Sequence, residues 1–316
     1  MISIKDIRSG INKILVLGNH EGIIQSILDF DYLSGKSEGS ILGIVTGRSG
    51  FAKYFWGRKE ILIPTLTSYS GLKHPANSNV WLLNLLSGRR TLTSTQDFFT
   101  CFALARGAAL FAENVPELHS QNLIKLNSDS SKLIVGPASV GLLVTKSLKL
   151  GPIGGITPDQ IADSHLTERG GIAILSASGG MTNELINIAI SAGHRLSFAL
   201  SFGGDRFPVL SPREAFLLAE QDPETKTVLY YGELGGEDEY ELVKLKEEGS
   251  FTKTVIAHIS GTVASLFPES PQFGHAKAKA DNQKTTALAK RVVLRSAGFQ
   301  VGNSFSEFIS LVSKLK

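Results

Sequence analysis

Short apolar runs alternate with amphipathic stretches along the whole chain. Runs with the near-continuous apolar composition of buried strands occupy residues 13–17, 41–46, 80–84, 108–112, 132–136, 171–175, 196–200, 226–231 and 253–259. Stretches with helical spacing of apolar residues occupy residues 21–30, 94–106, 115–127, 181–192, 212–221, 237–247 and 283–297. Strands that alternate with helices of this length predict βαβ units, and near-continuous apolar strands predict parallel sheets covered on both faces.

The two series of strands are separated by residues 143–169, which contain GPIGGITP at positions 151–158. Glycine and proline at this density are typical of a connector rather than the interior of a helix or strand. The chain has 316 residues, and roughly 100–200 residues per domain is usual. We therefore predict an α/β protein of two doubly wound domains, residues 1–148 and residues 149–316.

Composition narrows the class of protein. The 32 basic residues are scattered and nearly balanced by 29 acidic ones, so we expect no nucleic-acid partner. Cys101, the single cysteine, excludes a disulfide framework; its apolar surroundings, FFTCFAL at 98–104, predict a buried side chain. No apolar run reaches the roughly 20 residues of a membrane span, and the start lacks a signal-peptide core. We expect a cytoplasmic protein without a membrane partner.

Glycine-rich turns follow several predicted strands, where open α/β sheets bind ligands. LGNHEG at 17–22 could cradle a pyrophosphate, but it lacks the dinucleotide fingerprint and could equally be a bare sharp turn. SASGGM at 176–181 predicts either an anion site at a helix start or a serine cap with tight packing. GELGG at 232–236 places Glu233 at a strand end, where it could orient an imidazole or lie in solvent.

His275 differs from the other six histidines, which show no metal-ligand spacing. It lies in QFGHA at 272–276, after a proline-containing turn and before an alanine-rich segment. Small neighbours leave an imidazole accessible to a large partner or a phosphoryl group. Catalysis and a structural loop histidine both remain open on composition alone, and no metal site is predicted.

These segments carry a resemblance to a known family. GP at 136–137, GITP at 155–158, GGD at 203–205, GELGG at 232–236 and GHA at 274–276 resemble the alpha subunit of succinyl-CoA synthetase, of the nucleoside-diphosphate-forming acyl-CoA synthetases. LDFDY at 28–32, WG at 56–57, KEILIP at 59–64, GGM at 179–181, NEL at 183–185, GGDR at 203–206 and QFGHA resemble the corresponding part of ATP-citrate lyase. The ATP-citrate lyase resemblance covers nearly the whole chain in the same order.

The resemblance implies a fold and an assembly. The first domain would be a Rossmann-like CoA-binding domain, and the second a flavodoxin-like ligase domain. Because the sequence contains neither the ATP-grasp module nor the citrate-synthase-like lyase domain of ATP-citrate lyase, the resemblance points to the small subunit of a citryl-CoA synthetase. It would act in a hetero-oligomer with a large ATP-grasp subunit that holds ATP and magnesium, with citrate and CoA as substrates. A subunit for succinate or another acid, and a non-catalytic CoA-binding subunit, are the alternatives.

The resemblance also implies roles for individual residues. His275 would carry the phosphoryl group, and two carboxylates would hold it, those of Glu113 and Glu233. The helix start that receives phosphate and lies against citrate would be formed by Ser178, Gly179 and Gly180. The contacts to CoA would come from Gly18, Asn19, Ser87 and Arg89. The sequence departs from the family pattern at Ala177, where an arginine is usual, and at Lys277, where a glycine is usual.

Overall fold

The structure is a computed structural model that describes residues 1–69, 72, 75–130 and 132–315. Within these residues the strands form two seven-stranded sheets. The first has the order β3-β4-β2-β1-β5-β6-β7 and is parallel except at the pair β3–β4. Its strands are β1 (Ile11–Leu17), β2 (Ile41–Val45), β3 (Gly50–Trp56), β4 (Lys59–Leu66), β5 (Ser78–Asn84), β6 (Gly107–Leu110) and β7 (Leu133–Val135). The helices around it are α1 (Ile4–Ser9), α2 (Glu21–Leu33), α3 (Gly88–Cys101) and α4 (Glu117–Ser130).

The second sheet has the order β14-β13-β12-β10-β11-β8-β9, with antiparallel pairing only at β8–β9 and β8–β11 among the described residues. Its strands are β8 (Leu142–Val144), β9 (Leu148–Leu150), β10 (Ile172–Ser176), β11 (Leu196–Ser201), β12 (Thr227–Glu233), β13 (Thr254–Ser260) and β14 (Gln300–Val301). Its helices are α5 (Pro158–Asp163), α6 (Gly179–Ser191), α7 (Pro212–Gln221), α8 (Asp238–Glu247), α9 (Ala287–Ser296) and α10 (Phe305–Ser313). Two short 3-10 helices, Thr262–Leu266 and Gln283–Thr285, flank the segment that contains His275.

The predicted α/β class with two doubly wound parallel sheets is confirmed. Every strand inferred from an apolar run is present, and the helix predicted at 212–221 has those bounds in the structure. The elements that the pattern missed are the hairpin β3–β4, the three-residue strands β8 and β9, the strand β14, the helices α1, α5 and α10, and the 3-10 helix Thr262–Leu266. In β3 exposed and less exposed positions are mixed because the hairpin forms the outer edge of its sheet.

The division between the two sheets differs in detail from the predicted boundary near residue 148. The second sheet already includes β8, which begins at Leu142, and β9 begins at Leu148. The hairpin therefore belongs to the second sheet, although the sequence favours a connector there. Apolar strands of three residues are too short to stand out from a loop.

Cys101 is exposed, so the expectation of a buried thiol is wrong. It is the last residue of α3, whose buried face is formed by Leu92, Thr95, Phe98 and Phe99 among others. With 3.6 residues per turn, position 101 falls outside that stripe. The apolar run around it therefore reflects one helix face plus the following loop, rather than a continuous buried segment.

The two domains are joined by buried polar contacts, between α1 and the segment after α7 and between α2 and β9. Arg8 forms a bidentate ion pair with Asp222, at N–O distances of 2.7 and 2.9 Å. Lys149, which is 1% exposed, donates from Nζ to Ser26 Oγ of α2 and to the carbonyl of Gly151, each at 2.9 Å. Burial lowers the pKa of Lys149 to about 7.

In the part of the chain that the structure describes, no helix has the length and apolar character needed to cross a bilayer.

Candidate active site

The ends of three neighbouring strands build the site in the second domain. β10 lies between β11 and β12, all three are parallel, and Ser176 is paired with both Ser201 and Tyr231. Neighbouring strands are about 4.8 Å apart. The segments that follow these strands therefore emerge side by side at one edge of the sheet. They carry Gly204 after β11, Ser178 after β10 and Glu233 at the end of β12.

His275 is bonded to Glu233 at this edge. The imidazole Nδ1 lies 2.8 Å from Glu233 Oε2 and 3.0 Å from Oε1. A carboxylate only accepts hydrogen bonds, so we assign the proton to Nδ1. Nε2 then keeps its lone pair and is the nucleophilic nitrogen of the ring. The His275 side chain is 32% exposed, which leaves it open to a reactant.

The surroundings raise the pKa of His275. The hydrogen bond with Glu233 is the largest cause, and burial opposes it. The charge of Glu113 raises this pKa further, whereas that of Lys277 lowers it. The site therefore favours positive charge on the imidazole, which matches the charge that the ring carries when Nε2 is substituted and Nδ1 keeps its proton.

Gly204 lies directly beneath the imidazole. A Cβ at this position would lie 2.5 Å from Cδ2 and 2.7 Å from Nε2 of His275. Atoms of a side chain do not approach so closely, so any residue larger than glycine would displace the ring. The requirement for a small residue explains the second glycine of the GGDR segment, and Glu233 and Gly204 together fix the orientation of the ring.

The loop that carries His275 packs against the turn after β12. Gly235 has φ +82°, and a Cβ there would overlap the carbonyl oxygen of Lys277. Lys277 itself forms an ion pair with Asp238, with Nζ and Oδ2 2.6 Å apart, and its ammonium lies 5.2 Å from the ring centre of Phe202. Lys277, which stands where the resemblance implies a glycine, is thus held by Asp238 and Phe202.

Glu113 and Asp205 bring the first domain to this edge. Asp205 accepts hydrogen bonds from the backbone amides of Asn114 and Val115, at 3.2 and 3.1 Å. Burial and the charge of Glu113 raise the pKa of Asp205, against the effect of these hydrogen bonds. Glu113 is exposed, and the described residues show no hydrogen bond between it and His275. Of the two predicted carboxylates, Glu233 thus contacts the histidine directly, whereas Glu113 acts on it through its charge.

Sequence reasoning gave Asp205 no role at the site. Its position after a glycine pair at a strand end was the available signal, because that is where side chains of an α/β site emerge. In the structure Asp205 has a specific role, because its carboxylate bonds the loop after β6 to the second domain.

Ser178, Gly179 and Gly180 form the start of α6. Ser178 Oγ accepts from the amide of Met181 at 3.4 Å, so the hydroxyl serves as the helix cap. A Cβ at Gly179 would lie 2.6 Å from Val140 Cγ1, whereas Gly180 faces open space. Free amides and the positive end of the helix dipole favour an anion here. Ala177 is 4% exposed and adds no polar group where the family has an arginine.

The four residues predicted to bind CoA lie along one edge of the first sheet. β1 is parallel to β5, and the amide of Leu85 donates to the carbonyl of Leu17 at 2.9 Å. Gly18 and Asn19 therefore follow β1 beside the turn that carries Ser87 and Arg89. This arrangement brings the predicted residues together at a strand-end edge that is open to a ligand.

Individual features of this edge suit an anionic ligand. Ser87 caps α3 without a side-chain hydrogen bond to it, and Arg89 is an exposed residue of the first turn. Asn19 Oδ1 accepts from Tyr54 Oη at 3.2 Å. Burial and the charge of Glu21 raise the pKa of Tyr54 to about 12, so this tyrosine stays a donor at neutral pH.

The carboxyl ends of the two sheets adjoin. The segment 136–138 forms hydrogen bonds with both domains. The amide of Gly136 donates to the carbonyl of Phe202 in the second domain at 3.1 Å, and the amide of Ala138 donates to the carbonyl of Ala112 in the first at 2.8 Å. Asp205 adds the contacts to the loop after β6. These contacts hold together the loops that follow β6 and β7 of the first sheet and β11 of the second.

Comparison with known proteins agrees with this architecture. Residues 175–299 match the CoA-ligase family. A probable ATP-citrate synthase subunit 1 of Schizosaccharomyces pombe is 33% identical over 304 residues, which are 95% of this chain and 49% of that protein. The ATP-citrate synthase of Homo sapiens is 35% identical over 307 residues, which are 96% of this chain and 28% of that protein. The chain thus spans half or less of the length of these relatives.

A solved structure is similar over nearly all of the chain. ATP citrate lyase from Methanothrix soehngenii, in complex with citrate and coenzyme A, superposes with a TM-score of 0.89 at 33% identity. The match covers 98% of this chain and 50% of that one.

The structure thus has two parallel α/β domains, and the part that matches the CoA-ligase family, residues 175–299, lies in the second of them. More particularly, the chain is similar over nearly its whole length to one part of these ATP-citrate synthases and of the ATP citrate lyase.

Proposed function

We propose that the chain is the small, alpha-type subunit of an ADP-forming acid–CoA ligase, and specifically of a citryl-CoA synthetase. The reaction is ATP + citrate + CoA → citryl-CoA + ADP + phosphate. The observation that carries the proposal is the His275–Glu233 pair, with Nδ1 bonded and Nε2 available. It lies at the same sheet edge as the amide-rich start of α6. The ATP-citrate synthase relatives and the citrate and CoA complex of the similar lyase support citrate as the acid.

In the first step, Nε2 of His275 attacks the γ-phosphorus of ATP held by the large ATP-grasp subunit, and ADP leaves. Glu233 keeps the proton on Nδ1 and stabilises the positive charge of the substituted ring. A carboxylate oxygen of citrate then attacks the phosphorus, and Nε2 leaves, giving citryl phosphate. The start of α6 holds the anionic groups during this transfer. Finally the thiolate of CoA attacks the citryl carbonyl, and phosphate leaves.

A discharge assay tests the proposal. The chain is combined with its large subunit and γ-labelled ATP, and acid-labile label on this chain is measured before and after CoA is added with citrate or with succinate. We expect label on this chain and its loss with CoA and citrate. Loss only with succinate would assign the chain to the succinate branch. If no label forms, the chain is a CoA-binding subunit without a phosphoryl carrier, and the proposal is wrong.

Arg89→Ala is expected to weaken CoA binding without affecting phosphorylation. A guanidinium on a phosphate makes strong charge-assisted hydrogen bonds, so we expect the KM for CoA to rise on the order of tenfold. Labelling by ATP, which precedes CoA, should be unchanged. Steady-state kinetics with CoA and citrate varied separately measure this.

Arg90→Ala is the matched control. Arg90 is the neighbouring exposed arginine in the same first turn of α3, so this substitution removes the same charge. It should leave the KM for CoA near the wild-type value. Equal effects of the two variants would show that Arg89 contributes only to the general field, and an unchanged KM in Arg89→Ala would contradict its assignment to CoA.

A further inference from the structure

Lys290 is a buried lysine that the mechanism above does not use. It lies in α9 and is 1% exposed. Its Nζ donates to the main-chain carbonyl of Glu233 at 2.8 Å and also to that of Gly235. Glu233 is the last residue of β12, and Gly235 belongs to the turn that follows it. A single ammonium therefore ties down the backbone on either side of Leu234.

The ammonium is held in place by a second buried group. Glu239 of α8 is also 1% exposed, and its Oε2 lies 2.7 Å from Lys290 Nζ. Tyr230 Oη donates to the other oxygen, Oε1, at 3.1 Å. Burying two charges carries a desolvation cost that offsets their attraction, so the pair is weak evidence for stability as such. Its hydrogen bonds instead fix the position of the turn.

The turn held by Lys290 has two contacts with the catalytic histidine and its loop. The Glu233 carboxylate bonds to Nδ1 of His275, and Gly235 packs against the carbonyl of Lys277. The amide of Gly235 also donates to the carbonyl of Thr285 at 2.8 Å. Without the ammonium, the carbonyls of Glu233 and Gly235 would lose a buried donor, and the backbone would shift to find another.

We propose that Lys290 is a positioning residue that holds Glu233 against His275 Nδ1 by bonding the backbone on either side of Leu234. It touches no reacting atom and acts through Glu233. Its effect on phosphoryl transfer rests on the proposed function, whereas its effect on the state of His275 does not.

The test replaces Lys290 by Met and Glu239 by Gln together, so that no unpaired buried charge remains. The pKa of His275 is measured by NMR titration of its imidazole in the full chain, and the rate of labelling by ATP is measured with the large subunit. We expect the His275 pKa to fall toward the ordinary histidine value and labelling to slow on the order of tenfold, the size seen for groups that orient histidine ligands.

Two controls separate positioning from general destabilisation. Glu239→Gln alone keeps the Lys290 bonds to both carbonyls and should leave the His275 pKa near its wild-type value. Lys149→Met removes the other fully buried lysine described above, which also bonds a main-chain carbonyl but lies at the domain junction. It should lower stability without moving the His275 pKa.

The outcomes are distinct. An unchanged His275 pKa and labelling rate in the double variant would overturn the inference, as would an equal effect of Glu239→Gln alone. If the double variant does not fold, Lys290→Gln with Glu239→Gln, which keeps an amide donor on a shorter side chain, is measured with the same expected decreases. Failure of wild-type labelling would instead overturn the proposed function and leave the NMR test intact.

Discussion

His275→Ala is expected to abolish phosphoryl labelling of the chain and synthesis of the acyl-CoA. The substitution removes Nε2, the ring nitrogen that the bond between Nδ1 and Glu233 leaves available for attack. Because covalent catalysis needs this acceptor, the loss should reach the detection limit of the assay rather than a fraction of the rate. Labelling with γ-labelled ATP and the large subunit measures the first effect, and CoA-dependent turnover the second.

The fold should survive this change, because the His275 side chain is one-third exposed (32%) and lies in a loop. His165→Asn is the matched control. His165 also forms a histidine–carboxylate pair, with Nδ1 2.7 Å from Glu168 Oε1, in an exposed loop that precedes β10. Asparagine suits its positive φ of +46°. Normal labelling of His275→Ala, or loss of labelling in His165→Asn, would contradict the phosphohistidine mechanism.

The fold could be predicted to the extent that its strands are covered on both faces. Such strands contain continuous apolar runs, as at 14–17 in β1, 80–83 in β5, 172–175 in β10 and 255–257 in β13, and these runs stand out from the helices between them. The outer hairpin β3–β4 leaves Phe51, Phe55 and Leu62 exposed, so its pattern has no consistent buried side. Cys101 shows the opposite error, since an apolar neighbourhood in sequence can be split between two faces of a helix.

The site could be predicted where one short segment carries its chemistry. Glu233 and His275 each lie in a glycine-containing motif, and their hydrogen bond agrees with the role that the resemblance implies. Gly204, Asp205 and Lys290 could not be given roles in the same way. Their importance comes from what lies next to them after folding: an imidazole ring, a loop of the other domain and two main-chain carbonyls. Such neighbours come from distant parts of the sequence, and local patterns do not record them.

Glu233→Gln is expected to slow phosphorylation of His275 roughly 100-fold or more and to shift its pH dependence. A carboxamide can donate to Nδ1 and so permit the wrong tautomer, an error that is very costly in other histidine–carboxylate pairs. It also removes the largest cause of the raised His275 pKa. Only the neutral imidazole attacks, so the acid limb of the labelling rate lies at the His275 pKa. In the variant this limb should move to lower pH, while the plateau falls.

Stability should change with pH in the corresponding direction. In the wild type, a His275 pKa above that of the unfolded chain stabilises the fold at low pH. That contribution is lost as the pH rises through the raised pKa. Glu233→Gln should remove this dependence, although Glu113, which raises the pKa, and Lys277, which lowers it, still act on the ring. Denaturant unfolding across this pH range measures the difference between the two proteins.

Glu237→Gln provides the matched control for both measurements. Glu237 is an exposed carboxylate at the start of α8 and makes no side-chain capping hydrogen bond there. The substitution removes the same charge as Glu233→Gln, at a position four residues along the chain, and leaves the contacts of His275 unchanged. Its acid limb and plateau should match the wild type. If Glu233→Gln leaves the acid limb in place, or Glu237→Gln moves it equally, then the hydrogen bond from Glu233 does not set the pKa of His275, and the general field of the loop does.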